Sequence, residues 1–335
     1  RGIQELKQSS LRVAAPDAPA DSSFLFFFIM SNTFKGFAAG IVAAIFYGTN
    51  PLGTLFLYQD EINPTSVLVW RYAIASLLFL AWMMAKRESF RLRLGPAIRM
   101  AVLGTFMAMS SATLYLSFKY MDAGIASTIL FSYPIITAVL MTAFFHERIT
   151  WSTTFSILLA VTGIGLLYRG GDNATLSTVG VALVLLSSLF YAFYIIGVNQ
   201  THTGLSAIQF TFWVVLFGLI SLLVLSVIMG EQIQVLSTPK QWACAAQLAL
   251  LPTVLSLYFM NIAIEKVGST PSAIMGAVEP VTAVFIGVLI FGESFSLRLF
   301  VGIVLILSAV ILLVLSKKKK NVESHEERPL RAKRR

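Results

Sequence analysis

The chain of 335 residues is 57% hydrophobic and only 12% charged, with a formal net charge of +9 and a mean hydropathy of +0.80. A water-soluble domain cannot hide that much apolar surface, so the lipid bilayer is the solvent this composition calls for. The basic residues collect in the tail KKKKNVESHEERPLRAKRR and the loop KRESFRLRLGPAIR, which suit the inner face of a membrane and argue against a nucleic-acid partner.

A single cysteine, Cys244, excludes an internal disulfide framework, and three histidines with one cysteine offer too few ligands for a zinc site. No G-x-x-x-x-G-K-[ST] loop occurs, so ATP is not the direct energy source and no cofactor is expected.

Residues 1–33 are expected to form a disordered leader without function. RGIQELKQSSLRVAAPDAPADSS is polar, and the apolar run FLFFFIM is too short to span a bilayer and lacks a small-residue cleavage site. Met30 followed by SNTFKG looks like a natural start. Ten apolar segments then follow, each near the ~20 residues a helical span needs. They cover 37–57, 66–85, 96–118, 124–145, 150–168, 179–199, 206–229, 242–264, 269–291 and 295–315, with turn formers between them.

With the N-terminus inside, the inner side carries 20 Lys and Arg, the outer loops carry four, and Arg71 within span 2 completes the 25. That bias puts both termini in the cytoplasm. The expected location is a bacterial plasma membrane, with the tail at 316–335 meeting anionic headgroups as an anchor.

YPIITAVLMTAFFHE, from Tyr133 to Glu147, and EPVTAVFIGVLIFGE, from Glu279 to Glu293, share one skeleton 146 residues apart. Each has Pro second and Glu last. GFAAGIVAAIFY and GVALVLLSSLFY, which open spans 1 and 6, match in Gly, Ala, Phe and Tyr at a separation of 144. Residues 34–168 and 178–315 therefore read as two copies of one five-helix unit. Five is odd, so the copies run antiparallel. The expected fold is an all-α integral membrane protein of ten transmembrane helices in two inverted repeats, with substrate near the midplane.

Ten spans, halves opening G-x-A-x7-F-Y, and fourth helices ending P-x12-E resemble the EamA branch of the drug/metabolite transporter superfamily, from about residue 34 to 315. The resemblance also takes in Tyr47-Gly48, Arg71 and Glu279-Pro280. It implies a monomeric carrier that exports small metabolites, often amino acids, through a cavity lined by spans 1, 3, 4, 6, 8 and 9. It does not name the cargo. The smaller four-helix multidrug relatives rely on a Glu in their first helix. Span 1 here has none, so that proton scheme does not transfer.

Individual residues carry competing readings. Pro134 and Pro280 each remove a helix hydrogen bond, and their recurrence favours a real bend. Small residues spaced by four are read as packing seams, namely Ser269, Ala273 and Ala277, Ser272 and Gly276, Ala123 and Ser127, and Gly36 and Gly40. Glu279 lies eleventh of 23 in its span, where a charge costs about 2.5–3.5 kcal/mol. It is read as a proton or substrate-amine site, or as a structural hydrogen-bonding group. Arg71, about 9 Å deep at ~1.5 Å per residue, is placed to snorkel outward and to serve structure ahead of a substrate carboxylate. Tyr47, Asn50, Tyr115, Tyr133, Tyr191, Tyr194, Tyr258 and Asn261 supply the hydrogen-bonding groups of an otherwise apolar cavity wall, with packing or interfacial anchoring as the alternative for each. His146 is expected to be solvated. Pro252, with no counterpart in span 3, is given no role beyond shape.

The expected function is a secondary exporter of small amphiphilic metabolites working by alternating access, with the bilayer as solvent and protons as a candidate coupling ion. A nucleotide-sugar or other organic-anion carrier is the closest rival, and it calls for more cavity cations than Arg71 alone. An enzyme would need clustered acids, His or Cys, and a channel a polar ring or filter. The sequence shows neither pattern.

Overall fold

The computed structural model describes the backbone of residues 22–145, 151–168, 177–201, 204–267, 272 and 274–332. Side chains are described between 33 and 315 within those ranges, apart from 145, 168 and 199. The expectations for residues 1–21, His146, Glu147, Ser269, Ala273 and the side chains of the basic tail lie outside the described residues.

The described chain is helical. Its elements are α1 (Ser22–Gly48), α2 (Asn50–Gln59), α3 (Pro64–Ala85), α4 (Leu94–Ser117), α5 (Ala123–Leu130), α6 (Tyr133–Phe145), α7 (Trp151–Tyr168), α8 (Thr178–Gln200), α9 (Ala207–Met229) and α10 (Pro239–Ala249). A π turn (Leu250–Leu255), α11 (Ser256–Val267), α12 (Val278–Phe291) and α13 (Leu297–Ala332) complete them. Among the described residues, eight helical stretches are long and apolar enough to cross a membrane. Trp151–Leu167 and Val278–Phe291 are apolar but shorter. They fall in the fifth and ninth expected spans. The backbone is helical from Ser22, within the stretch expected as a leader up to residue 33. No Gly or Pro interrupts 22–35, so the FLFFFIM run extends the first helix.

Local chemistry sets the ends. Asn63 caps α3, its side chain accepting from the Ser66 N–H at 2.7 Å, with Pro64 at the first helical position. Ser206 with Gln209 and Thr238 with Gln241 form capping boxes for α9 and α10. Gly230 and Gly292 close α9 and α12 in the left-handed region, at φ 65° and 68°.

Four stretches are interrupted. Thr49 separates α1 from α2, Phe131 and Ser132 separate α5 from α6, the π turn separates α10 from α11, and Gly276 and Ala277 precede α12. Pro134 is second in α6 and Pro280 third in α12, so each interruption lies just before a proline that cannot donate its backbone hydrogen bond.

The helices pack in a regular exchange. α7 lies on α13, α3 on α9 and α5 on α12. α1 packs on α11 as α4 does on α8, and α4 on α9 as α10 does on α3. The close seams are built on glycine, because a Cβ at Gly104 would stand 2.7 Å from the Val214 carbonyl oxygen and one at Gly124 2.8 Å from Val284 Cα. Gly36 and Gly40 likewise admit Val267 and Met275. Asp60 pairs with Lys240 at 3.0 Å, and Gln234 accepts from the Asn63 N–H at 2.5 Å. At the other end Gln209 Nε2 donates to the Ser89 carbonyl at 3.0 Å.

Candidate transport site

The interruptions bring their flanking residues together. At the end of α1 the Thr49 hydroxyl donates to the Phe46 carbonyl at 2.6 Å, and Asn50 Nδ2 to the Tyr47 carbonyl at 2.8 Å. These bonds hold the chain as it turns into α2. Gly48 then meets the start of α12, where a Cβ would lie 2.6 Å from the Glu279 carbonyl oxygen. Tyr47 is thereby set beside Glu279. From the opposite side, the α5–α6 break presents Tyr133, whose ring stands edge-on to Tyr191 of α8 at 4.6 Å, and Tyr191 in turn neighbours Tyr194 at 5.7 Å.

The Glu279 carboxyl lies within electrostatic reach of the hydroxyls of Tyr47, Tyr133 and Tyr191. All five side chains are half-buried. Among the described residues, none of the four hydroxyls nor the Glu279 carboxyl has a hydrogen-bond partner.

Asn50, Arg71 and Tyr115 form a separate network. Arg71 is only 3% exposed, which corrects the expectation that it snorkels outward. Its Nε donates to Thr253 Oγ at 3.0 Å, and its Nη1 to Asn50 Oδ1 at 2.8 Å and to the Tyr115 hydroxyl at 2.7 Å. The Tyr115 hydroxyl also donates to Asn50 Oδ1 at 3.1 Å, and its ring lies 5.7 Å from the guanidinium carbon. Four helices are tied by one planar cation. Pro252 has the consequence that sequence reading missed, since Thr253 follows it within the π turn and reaches back to the Leu248 carbonyl at 3.0 Å while accepting from Arg71.

Tyr258 and Asn261 do not join either group. They line a cleft of about 400 Å3 with Phe79, Trp82, Lys86 and Thr211, at the end marked by Ser89. Tyr258 there packs on Trp82 at 5.4 Å.

The opposite end holds a wider cavity of about 730 Å3, lined among others by Tyr58, Glu61, Lys119, Asp122 and Glu293. Beneath it α5 crosses α12, and the Glu293 carboxylate accepts from the Ala123 N–H at 2.8 Å and the Gly124 N–H at 3.2 Å. Burial pushes the Glu293 carboxyl up, the two N–H donors draw it down, and Asp122 adds to the rise. The net direction is up. This clasp was absent from the sequence reading, although Glu293 closes the repeated skeleton. Among the described residues, no three His, Cys, Asp or Glu side chains stand together as metal ligands.

The sequence profile of the EamA-like transporter family matches this chain over residues 34–169 and again over 178–315. An uncharacterized transporter of Clostridium kluyveri is 23% identical over 308 residues, covering 86% of this chain and 95% of its own. The uncharacterized transporter YyaM of Bacillus subtilis is 21% identical over 261 residues, covering 74% and 84%. One solved crystal structure superposes with a TM-score of 0.60 at 16% identity, covering 87% of this chain and 98% of its own, which shows a shared fold. The chain is a multi-pass membrane protein that belongs to the EamA-like transporter family, a class that moves small molecules across membranes.

Proposed function

We propose that the protein is a secondary active exporter of small amphiphilic metabolites, amino acids among them, working by alternating access around a midplane cavity and coupled to protons. In this reading ten spans form two inverted five-helix repeats, 34–168 and 178–315, with both termini cytoplasmic in a bacterial plasma membrane. The exchange symmetry of the helix contacts supports it, because swapping the halves maps each of the major pairings onto another or onto itself. So does the double match of the family profile. Inverted copies give two access states of similar energy, which alternating access requires.

The observation that carries the reading is the cluster of Tyr47, Tyr133, Tyr191, Tyr194 and Glu279, half-buried side chains of α1, α6, α8 and α12 whose polar groups have no hydrogen-bond partner among the described residues. Such groups cost free energy unless water, a proton or a ligand satisfies them. The Glu293 clasp holds α5 to α12 at one end and represents the state closed on that side. Arg71 serves as a structural node in this account.

The test is metabolite profiling of medium from cells expressing the wild type, Glu279→Gln or an empty vector. One or more small amphiphiles should accumulate outside with the wild type alone. An identical profile in all three, or an undiminished rise with Glu279→Gln at equal membrane abundance, would contradict the reading.

A further inference from the structure

We propose that the cleft between α3, α9 and α11 holds one anionic phospholipid, with its phosphate on Lys86 and an acyl chain against Trp82 and Phe79.

Three helices build this cleft. Phe79, Trp82 and Lys86 follow at spacings of three and four along α3 and its C-terminal cap, so they share one face. The π turn and α10 pack on α3, but α11 packs on α1, so the cleft of about 400 Å3 opens where the chain leaves α3. Beyond the π turn, Tyr258 and Asn261 line its wall. From Lys86 to Phe79 is about 10 Å at ~1.5 Å per residue, so the cleft runs from the end of α3 into the apolar part of the helix.

Its lining combines two chemistries. Phe79 and Trp82 stack at 6.4 Å and Tyr258 packs on Trp82 at 5.4 Å, which gives hydrocarbon an aromatic surface. Lys86 is exposed. Among the described residues, neither its ammonium, the Asn261 amide nor the Tyr258 hydroxyl has an ion-pair or hydrogen-bond partner. No described carboxylate lines the cleft, whereas Glu61, Asp122 and Glu293 line the cavity at the opposite end. The adjoining loop adds Arg87, Arg91 and Arg93 against one acid, Glu88, and Gln209 of α9 holds that loop through the Ser89 carbonyl at 3.0 Å. An unpaired cation and neutral donors beside an aromatic slot match a lipid phosphate and its chain. A free anion would leave the aromatic surface unused, and a neutral hydrocarbon would leave Lys86 and Asn261 unused.

The test is tryptophan quenching in purified full-length protein in detergent, with folding checked by circular dichroism. The probes are phosphatidylglycerol and phosphatidylcholine carrying the same brominated acyl chains, because bromine quenches a tryptophan it touches. The wild type should show a saturable component in which phosphatidylglycerol binds roughly fivefold tighter than phosphatidylcholine, the effect of one lysine beside an anionic headgroup. Trp82→Phe, which keeps an aromatic ring, should lose that component, and Lys86→Gln should lose the preference. Excess glycerol 3-phosphate should not displace the lipid. Equal affinity for the two lipids, or a preference that survives in Lys86→Gln, would overturn the proposal and leave only an annular lipid belt. A saturable component that survives in Trp82→Phe would put the lipid elsewhere and overturn it as well. Displacement by glycerol 3-phosphate would make the cleft a free-phosphate site and overturn the lipid assignment.

Discussion

α6 and α12 begin alike and end in different chemistry. Each starts just past a break, and each carries Pro within its first three residues. The residue before the proline is Tyr133 in one and Glu279 in the other. The break is what the two segments keep, because the missing proline N–H fixes where the helix restarts. The side chain ahead of it was free to diverge, giving one neutral wall and one acidic wall. In the proposed reading, an inverted pair supplies the scaffold and this one difference between its members supplies the acid.

The most damaging change to that contrast removes the acid. Glu279→Gln should abolish pH-driven transport in proteoliposomes while circular dichroism stays native, and unchanged proton dependence would remove Glu279 from the mechanism. Exchanging the two residues sharpens the comparison. Tyr133→Glu with Glu279→Tyr carries the acid to the matching position of the other repeat, and this double variant should recover pH-driven transport that Glu279→Tyr alone lacks.

Arg71→Lys comes next. A lysine cannot reproduce the planar fork that meets Asn50, Tyr115 and Thr253, and each lost charge-assisted bond is worth about 1.5–3 kcal/mol. Thermal unfolding should show a drop of that order, and an unaltered melting temperature would deny the node its structural role. Gly124→Ala perturbs the α5–α12 crossing itself. The new methyl would meet Val284 Cα at 2.8 Å, an overpacking cost of about 1–3 kcal/mol that should loosen the closed end. Faster labelling of a cysteine placed at Ala126 would report it.

The smallest effect concerns the clasp. Because the folded Glu293 carboxyl is pushed up, the folded state holds its proton more tightly than the unfolded state does. Stability is therefore greatest below the ordinary glutamate range and falls as pH rises through it toward the raised value. Asp122, also raised by burial, contributes in the same sense. Glu293→Gln should flatten that slope in melting measurements across pH, and an unchanged slope would assign it elsewhere.

Much of this was legible in the amino-acid order. Apolar runs of span length marked the membrane helices, the repeated proline skeleton marked the two broken helices, and a lone acid at mid-span marked the candidate site. Tyr47, Tyr133 and Tyr191 do come near Glu279, and Tyr194 stands against Tyr191. Tyr258 and Asn261 do not, and the π turn explains why, since its extra residue rotates everything beyond by about 100° and spoils any face assigned by simple periodicity. The contact of Thr49 with Gln247 and that of Arg71 with Thr253 were also hidden, because each joins side chains more than a hundred residues apart that meet only in space. The Glu293 clasp is hidden for the same reason. A glutamate after a helix shows nothing until the N-terminus of α5 is beside it.

The account depends on the two halves being laid upside down against each other, and mate loops test that most directly. With Cys244→Ser as background, single cysteines replace Ser89, in the loop after α3, and Ser237, in the corresponding loop after α9, both exposed. A membrane-impermeant maleimide applied to intact cells and to inverted vesicles should label the Ser237→Cys protein only from outside and the Ser89→Cys protein only from inside. Labelling of both from the same side would contradict the inverted arrangement and with it the shared cavity.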